Sequence, residues 1–486
     1  MQSDEISRIV SEVLKRLEKD DLGSVLTTQP PSATARLPNP LSFDSVLFPT
    51  VDAAVQAAVV AQGEFQDLGL EIRRGIIRAM RKAAIANAER LAKMAVEETG
   101  MGRWEDKVQK NLVCATRTPG VEDLVSRAYT GDKGLTLVEY APYGVVAAIT
   151  PSTNPAATII NNAISILAAG NSVVFAPHPA SYKVCLETMR LLSAAAVAAG
   201  APKALITTCD KPSQDNTRNL LAHPDARVNM VTGGPAIVKV AMTVGKTCKT
   251  IAAGPGNPPV VVDETAEFPK CAQDIIFGAS FDNNVLCTAE KEVIVTAAAR
   301  ERFLTGMRGD PRAFELNAAQ TGALVKLVIK VGGRGCKDPV LNRDFVGKDA
   351  SVLAKGIGLE IPQEARLLWA EVSNDHALVW TEQLMPFLPV TTCRDVEAAI
   401  DLAVQAEGGN RHTASMHSTH VGNLTKMARK MQCSIFVKNA PTLYGLGLGE
   451  GYATMSIGTP TGDGLTKASH FARPLHCALV GYFRIV

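Results

Sequence analysis

From Gly131 onward, strand-forming and helix-forming stretches alternate, and no other feature constrains the fold of this chain as strongly. The runs Leu135 to Tyr140, Val145 to Thr150, Ser172 to Ala176, Ala204 to Thr208 and Val228 to Thr232 have the length and residue types of strands. Between them, Ala156 to Ala169 and Tyr182 to Ala199 have the composition of helices. Strand, helix, strand at this cadence predicts an α/β protein built on a parallel sheet. A second α/β unit is expected to begin near Pro258, with Pro259 to Val262, Glu292 to Thr296 and Ile435 to Val437 among its strands. Ahead of both, Phe43 to about Asp123 reads as helices, with Ala-rich stretches at Val51 to Ala61 and Arg73 to Glu98.

The N-terminus is built differently. Ile6, Ile9, Val10, Val13, Leu14 and Leu17 recur at the spacing of one helical face. Ser3 can cap such a helix, Asp4 and Glu5 fall in its first turn, and Lys15, Arg16 and Lys19 in its last. A helix this short is marginal alone in water, so its apolar stripe needs a partner. From Asp20 to about Ser42 the Gly, Ser, Thr and Pro content is that of a linker. The helix of residues 1–18 is then either an extra element packed on the body or a docking peptide tethered by residues 19–42.

Charge and cysteine usage narrow the chemistry. With 50 Lys and Arg against 48 Asp and Glu, the net charge of +2 supplies no field for nucleic acid or an anionic membrane, and a small-molecule substrate is expected. The apolar fraction of 46% is that of a globular protein with substantial cores. Ten cysteines without a C-x-x-C pair fit a reducing compartment, with most of them small buried hydrophobes. The charged N-terminus has no long apolar core of a secretory signal, and no run reaches the ~18 apolar residues of a membrane span.

Neither G-x-G-x-x-G after a strand nor G-x-x-x-x-G-K-[ST] is present. The segments Thr150-Pro151-Ser152-Thr153-Asn154-Pro155 and Thr232-Gly233-Gly234-Pro235 each end a strand and start a helix, where free backbone N–H groups can meet a ligand. The segment from Phe281 to Val295 places Cys287 in a polar loop after an apolar helix and before a strand. His412, His417 and His420 invite a metal reading, but no nearby Cys or carboxylate completes a set, so no metal is expected and a structural role is assigned. The glycine run Gly445 to Gly451 lacks a following Lys-Ser or Lys-Thr and is read as a backbone-permissive loop over the active site.

Six stretches together carry a resemblance: Glu97-Glu98-Thr99-Gly100-Met101-Gly102-Arg103, Thr150 to Pro155, Phe175-Ala176-Pro177-His178-Pro179, Ala253-Gly254-Pro255-Gly256-Asn257-Pro258-Pro259, the Cys287 loop, and Gly445 to Gly462. Over roughly Phe43 to Val486 the chain resembles the aldehyde dehydrogenase superfamily, and within it the CoA-acylating enzymes associated with bacterial microcompartments. The resemblance implies a cofactor-binding domain over residues 43–255 with an oligomerisation arm near 124–141. It further implies a catalytic domain over 256–440, and a return over 441–486 that ends in an oligomerisation strand.

Carried over residue by residue, Cys287 matches the catalytic nucleophile, and Asn154 the residue whose amide helps hold the oxyanion. A thiolate is a good nucleophile toward a carbonyl, and the alkoxide it produces needs donors placed where charge develops. Thr150, Pro151 and Ser152 fall at the cofactor edge. Thr232, Gly233 and Gly234 match the helix start near the cofactor pyrophosphate, with Gly254 close by, and Glu382 resembles the glutamate that fixes the nicotinamide ribose. His178, followed by Pro179, stands where hydrolytic relatives usually have a lysine beside the adenosine ribose; this leaves NADP open beside NAD, the expected cofactor. Hydrolytic relatives carry Glu-Leu-Gly-Gly-Lys, whose Glu activates water, where this chain reads Ala252-Ala253-Gly254-Pro255-Gly256. A thiol cosubstrate needs less activation than water, so this difference favours transfer to coenzyme A.

The expected activity is oxidation of a short aliphatic aldehyde, propionaldehyde first and acetaldehyde second, to an acyl-CoA with reduction of NAD. The expected protein is a dimer or tetramer in the bacterial cytoplasm, held in a microcompartment lumen through contacts of residues 1–18 with shell or core proteins. Three rivals remain at this point: a hydrolytic dehydrogenase giving the free acid, a redox-free cysteine acyltransferase, and a non-catalytic shell-associated protein.

Overall fold

The computed structural model describes residue 12 and residues 45–485. The helix expected over 1–18 and the linker over 19–42 fall outside these residues, Glu12 apart. Among the described residues the chain forms two parallel sheets and a three-stranded antiparallel arm, the α/β architecture the strand–helix cadence predicts.

The first sheet has six strands in the order Leu47–Phe48, Ile206–Cys209, Ser172–Pro177, Val145–Thr150, Ala226–Thr232, Lys249–Ala253, all parallel. The chain starts its crossovers at the central strand Val145–Thr150, works outward to one side, then returns to add Ala226–Thr232 on the other. The order therefore reverses between Thr150 and Thr232. At such a reversal the crossover loops diverge and leave a crevice at the carboxyl ends of the strands, where open α/β sheets bind ligands.

Val145–Thr150 is buried along its whole length, as a strand covered by helices on both faces must be. Helix Pro155–Ala168 follows it with every residue buried, which explains its near-continuous apolar sequence. Pro155 opens that helix at a position where its missing N–H is not needed. The Ala-rich stretch Arg73 to Glu98 falls in two helices, Leu70–Ala86 and Ala88–Thr99, broken at Asn87.

The second sheet has seven strands in the order Ala313–Glu315, Leu367–Glu371, Phe387–Cys393, Glu292–Thr296, Pro259–Val262, Thr413–His417, Ile435–Lys438, again all parallel. After Lys438 the chain returns to the first body. Leu443, Leu446, Met455, Ile457 and Phe471 share one apolar cluster with helices Leu70–Ala86, Trp104–Arg117 and Pro155–Ala168. Phe281, Leu286 and Ala289 of the Cys287 loop belong to the same cluster. The loop thus hangs from the second sheet but packs on the first body, and each fully buried large apolar side chain contributes about 1.5–3 kcal/mol to that docking.

Strands Arg127–Gly131, Gly134–Pro142 and Ala472–Val480 pair antiparallel as the arm. Beyond Ala472 the last strand is exposed, and Tyr129, Leu475, Leu479, Val480, Tyr482 and Phe483 face solvent. No helix among the described residues is long and apolar enough to cross a membrane.

Candidate active site

Between Phe281 and Thr296 every residue is buried except Cys287. The backbone reaches this arrangement through three consecutive left-handed residues, Asp282, Asn283 and Asn284, at φ 48°, 53° and 61°. Asp and Asn tolerate that region better than other side-chain-bearing residues, because their short polar side chains bond nearby groups. Each is pinned by a different part of the molecule. Asn283 Nδ2 donates to Gly347 O and Asp349 Oδ1, each at 2.9 Å. Asn284 Nδ2 donates to Ala279 O and Glu290 O at 2.8 and 2.9 Å. Asp282 Oδ1 accepts from Arg103 N at 2.7 Å, and a Cβ on Gly102 would fall 2.0 Å from that same oxygen, so only glycine fits there.

Lys291 is wholly buried and directs its ammonium back at the loop, donating to Asn284 O at 2.8 Å, Leu286 O at 3.0 Å and Asn284 Oδ1. All three of its protons hold the turn that presents Cys287. Gly256 closes the other side: a Cβ there would lie 2.8 Å from Cys287 O and 2.9 Å from His412 Cγ. His412 is buried, and burial together with Lys291 pushes it down to about 4, so its imidazole is neutral near pH 7. Its Nε2 has no hydrogen-bond partner among the described residues.

Burial, and then the nearby Glu382 carboxylate, push the Cys287 thiol up to about 12, while Lys291 and Lys110 pull it the other way. Burial raises Glu382 itself to about 7 against the opposing pull of Lys291. The resting thiol is therefore protonated at neutral pH, and its nucleophilicity depends on removing the proton when substrate and cosubstrates fill the cleft.

Asn154 is the N-cap of helix Pro155–Ala168, yet its side chain does not cap. Instead Asn154 Oδ1 accepts from Lys110 Nζ, and Asn154 Nδ2 donates to Thr153 Oγ1 at 3.1 Å. Lys110 and Lys107 share Asp282 Oδ2, Lys107 at 3.0 Å. Asp106 Oδ2 accepts both the Asp282 N–H and an Arg366 N–H at 2.8 Å. A buried ionic network therefore joins the helix Trp104–Arg117, the start of the central helix and the cysteine loop. Burial pushes Lys107 down to about 8 in spite of the adjacent carboxylate.

A cavity of about 260 Å³ opens between these elements, lined by Val113, Phe281, Leu286, Leu446, Leu448 and Met455, with Leu443, Gln109 and Lys110 completing it. Two of its leucines come from the glycine run, where Gly447 at φ 101° makes the turn no other residue makes without strain.

The remaining candidates spread along the first sheet's carboxyl edge. Thr150 and Thr232 end the two strands flanking the reversal. Helix Pro235–Thr243 starts after Gly234 with no side-chain cap, and nothing occupies the space a Cβ would take at Gly234. Uncapped N–H groups and open space fit a dinucleotide pyrophosphate. Pro151 and Ser152 lie in the turn between Thr150 and Asn154, while Gly254 packs against Pro460. His178 and Pro179 are exposed at the end of Ser172–Pro177, and partial burial, then the Arg343 cation, lowers His178. Glu382 lies not at that edge but beside Cys287 and Lys291. Ala252 is fully buried in a cluster with Val231, Val238 and Ala241, so the position compared with a water-activating glutamate holds only a methyl group inside a core. His412 and His417 are buried apart from any ligand set; among the described residues no group of three or more His, Cys, Asp or Glu can hold a metal ion.

Sequence reasoning passed over Lys107, Lys110 and Lys291, and gave Gly256 no role of its own. Asp106, Lys107 and Lys110 look like a solvated helix face, and only their burial distinguishes them.

A reversed-order parallel sheet joined to a second parallel sheet, with a partly exposed thiol on a loop that docks between them and lines an apolar cavity, defines a class of α/β enzymes that work through a cysteine. The sequence profile of the aldehyde dehydrogenase family matches residues 48–325. The chain is 46% identical over 488 residues, 100% of both chains, to the acetaldehyde dehydrogenase (acetylating) EutE of Salmonella typhimurium. It is 44% identical over 441 residues to the propanal dehydrogenase (CoA-propanoylating) of Citrobacter freundii, covering 90% of this chain and 94% of that one. The crystal structure of Rhodopseudomonas palustris propionaldehyde dehydrogenase with bound propionyl-CoA superposes with a TM-score of 0.86 at 46% identity, over 90% of this chain and 96% of that one. This chain belongs to the aldehyde dehydrogenase family.

Proposed function

We propose that this enzyme oxidises a short aliphatic aldehyde to an acyl-CoA, with Cys287 as the nucleophile and NAD as the hydride acceptor. The observation that carries the reading is the isolation of Cys287: it alone reaches solvent from an otherwise buried segment, directly after Leu286, which lines the apolar cavity together with Lys110, the partner of the Asn154 amide. The channel desolvates an alkyl chain and offers Gln109 and Lys110 as its polar groups, which suits propionaldehyde first and acetaldehyde second. One methylene changes affinity by only ~1–3 kcal/mol, so both substrates are expected to react.

The Cys287 sulfur adds to the aldehyde carbon and gives a thiohemiacetal. Asn154 keeps one amide N–H on Thr153 and has a second to meet the developing alkoxide. Bound along the edge that carries Thr150, Pro151, Ser152, His178, Pro179, Thr232, Gly233, Gly234 and Gly254, the nicotinamide cofactor accepts the hydride; Glu382 is proposed to hold its ribose. Cys287, then a thioester, hands its acyl group to the thiol of CoA. His412, neutral and with Nε2 unpartnered among the described residues, leaves an open acceptor nitrogen on the side of the cysteine loop closed by Gly256. Ala252 supplies no base for water, which supports transfer over hydrolysis.

The exposed apolar arm supports a homo-oligomer, and residues 1–18 are proposed to deliver the enzyme to a microcompartment lumen in the bacterial cytoplasm. The test of the activity is NADH formation with and without CoA. Multiple turnovers are expected only with CoA, and Cys287→Ser should abolish them; sustained NADH production without CoA would refute the acylating reading.

A further inference from the structure

The buried cations beneath Asn154 have no part in the chemical steps above beyond the place of Lys110 in the channel lining, and their geometry assigns one. We propose that Lys110 is the positioning residue that orients the Asn154 amide, holding Oδ1 away from the reacting centre so that the anion-stabilising N–H faces Cys287. This rests on the reading of Asn154 as the oxyanion donor.

An asparagine side chain can turn over with little change in shape, exchanging an acceptor for a donor. With Oδ1 facing the alkoxide, it would repel the charge it is meant to hold. Lys110 Nζ bonds Asn154 Oδ1, and an ammonium group has no acceptor capacity, so the flipped amide would set N–H against N–H. Asp282 Oδ2 holds Lys110 in place, and that carboxylate is itself on the cysteine loop, fixed by Arg103 N and by the Asp282 N–H to Asp106. Donor and nucleophile are thereby located by one buried ion pair. Lys110 also polarises the amide, because a cation on Oδ1 draws electrons from the N–H, and low local dielectric strengthens this. Lys107 is an internal comparison: it bonds the same Asp282 oxygen and Thr153 O at 3.1 Å, but makes no bond to Asn154.

The test is a double-mutant cycle read as the single-turnover rate of NADH formation with saturating aldehyde and NAD. Lys110→Met leaves Asp282 paired with Lys107, so the fold is expected to persist. The rate should fall about 10- to 100-fold, less than the roughly 100- to 1,000-fold for outright loss of an oxyanion donor, because the amide is misoriented and not removed. Asn154→Ala should fall at least as far, and the double variant no more than about threefold below Asn154→Ala, because residues acting as one unit are non-additive. Lys107→Met combined with Asn154→Ala should instead multiply. Alkylation of Cys287 by iodoacetamide builds no oxyanion, and its rate per thiolate, read across pH so that the lost pull of Lys110 on the thiol drops out, should slow by no more than about threefold in Lys110→Met, while a displaced loop would slow it as much as turnover.

Multiplicative losses for Lys110 and Asn154, or parallel loss of alkylation, overturn the positioning role while leaving Asn154 as donor. Wild-type rates in Asn154→Ala would overturn the oxyanion reading itself, and the proposal with it.

Discussion

Gly256→Ala adds a single methyl group at a position where the backbone angles do not require glycine, so its effect is steric alone. The new Cβ falls 2.8 Å from Cys287 O and 2.9 Å from His412 Cγ, where ordinary contact begins at 3.4 Å. Either neighbour must retreat by about half an ångström to restore van der Waals distance. Neither is free to do so: the carbonyl belongs to a turn locked by Lys291 at Asn284 and Leu286, and His412 is buried. Overpacking of this kind costs roughly 1–3 kcal/mol, offset by about 0.4–1 kcal/mol because alanine restricts the unfolded chain more than glycine does. Since misplacement by 1 Å costs about 100-fold in rate, half of that predicts a loss of roughly tenfold in kcat. Steady-state NADH formation with CoA, paired with thermal melting, reads both effects. Gly75→Ala is the control, because it lies within helix Leu70–Ala86 with nothing within 4 Å of its Cβ and should stabilise by up to about 1 kcal/mol. Wild-type kcat and melting in Gly256→Ala would refute the tight closure of residues 254–258 on the cysteine loop.

Because Cys287 is pushed up to about 12, its alkylation by iodoacetamide in the ligand-free enzyme should rise about tenfold per pH unit from pH 7 to 10, as the thiolate fraction grows. A plateau below pH 9 would contradict the cause given for that shift. Deleting residues 1–20 should leave activity in solution unchanged and abolish co-localisation with shell proteins; unfolding would instead make the helix a structural part of the body. Tyr482→Ser with Phe483→Ser, on the exposed end of the arm, should lower the molecular mass seen by light scattering, and an unchanged mass would place the subunit contacts elsewhere.

Much of this enzyme was legible without coordinates because its signals are local. Strand boundaries such as Val145–Thr150, Pro259–Val262 and Glu292–Thr296 follow from short apolar runs, and Pro155 marks a helix start wherever it is placed. Family resemblance singled out Cys287 and Asn154 through stretches of a few residues each. Strands such as Lys249–Ala253 and Leu367–Glu371 were not read, because a short, largely buried strand has no alternating pattern to set it apart from a buried helix segment.

The electrostatics of the site could not be read locally at all. Asp106, Lys107 and Lys110 have the composition of a wet helix face, yet they are buried because Asp282, more than 170 residues later, arrives to neutralise the two lysines, and Arg366 pairs with Asp106. The protonated state of Cys287 has the same origin: burial, with the charge of the distant Glu382, outweighs the opposing pull of Lys291 and Lys110. The sequence by itself determined which residues can do chemistry and the layered class of fold that carries them. Tertiary structure alone decided which way the Asn154 amide points, what closes on Cys287 and which charges are out of water, because those depend on distances between segments far apart in the chain.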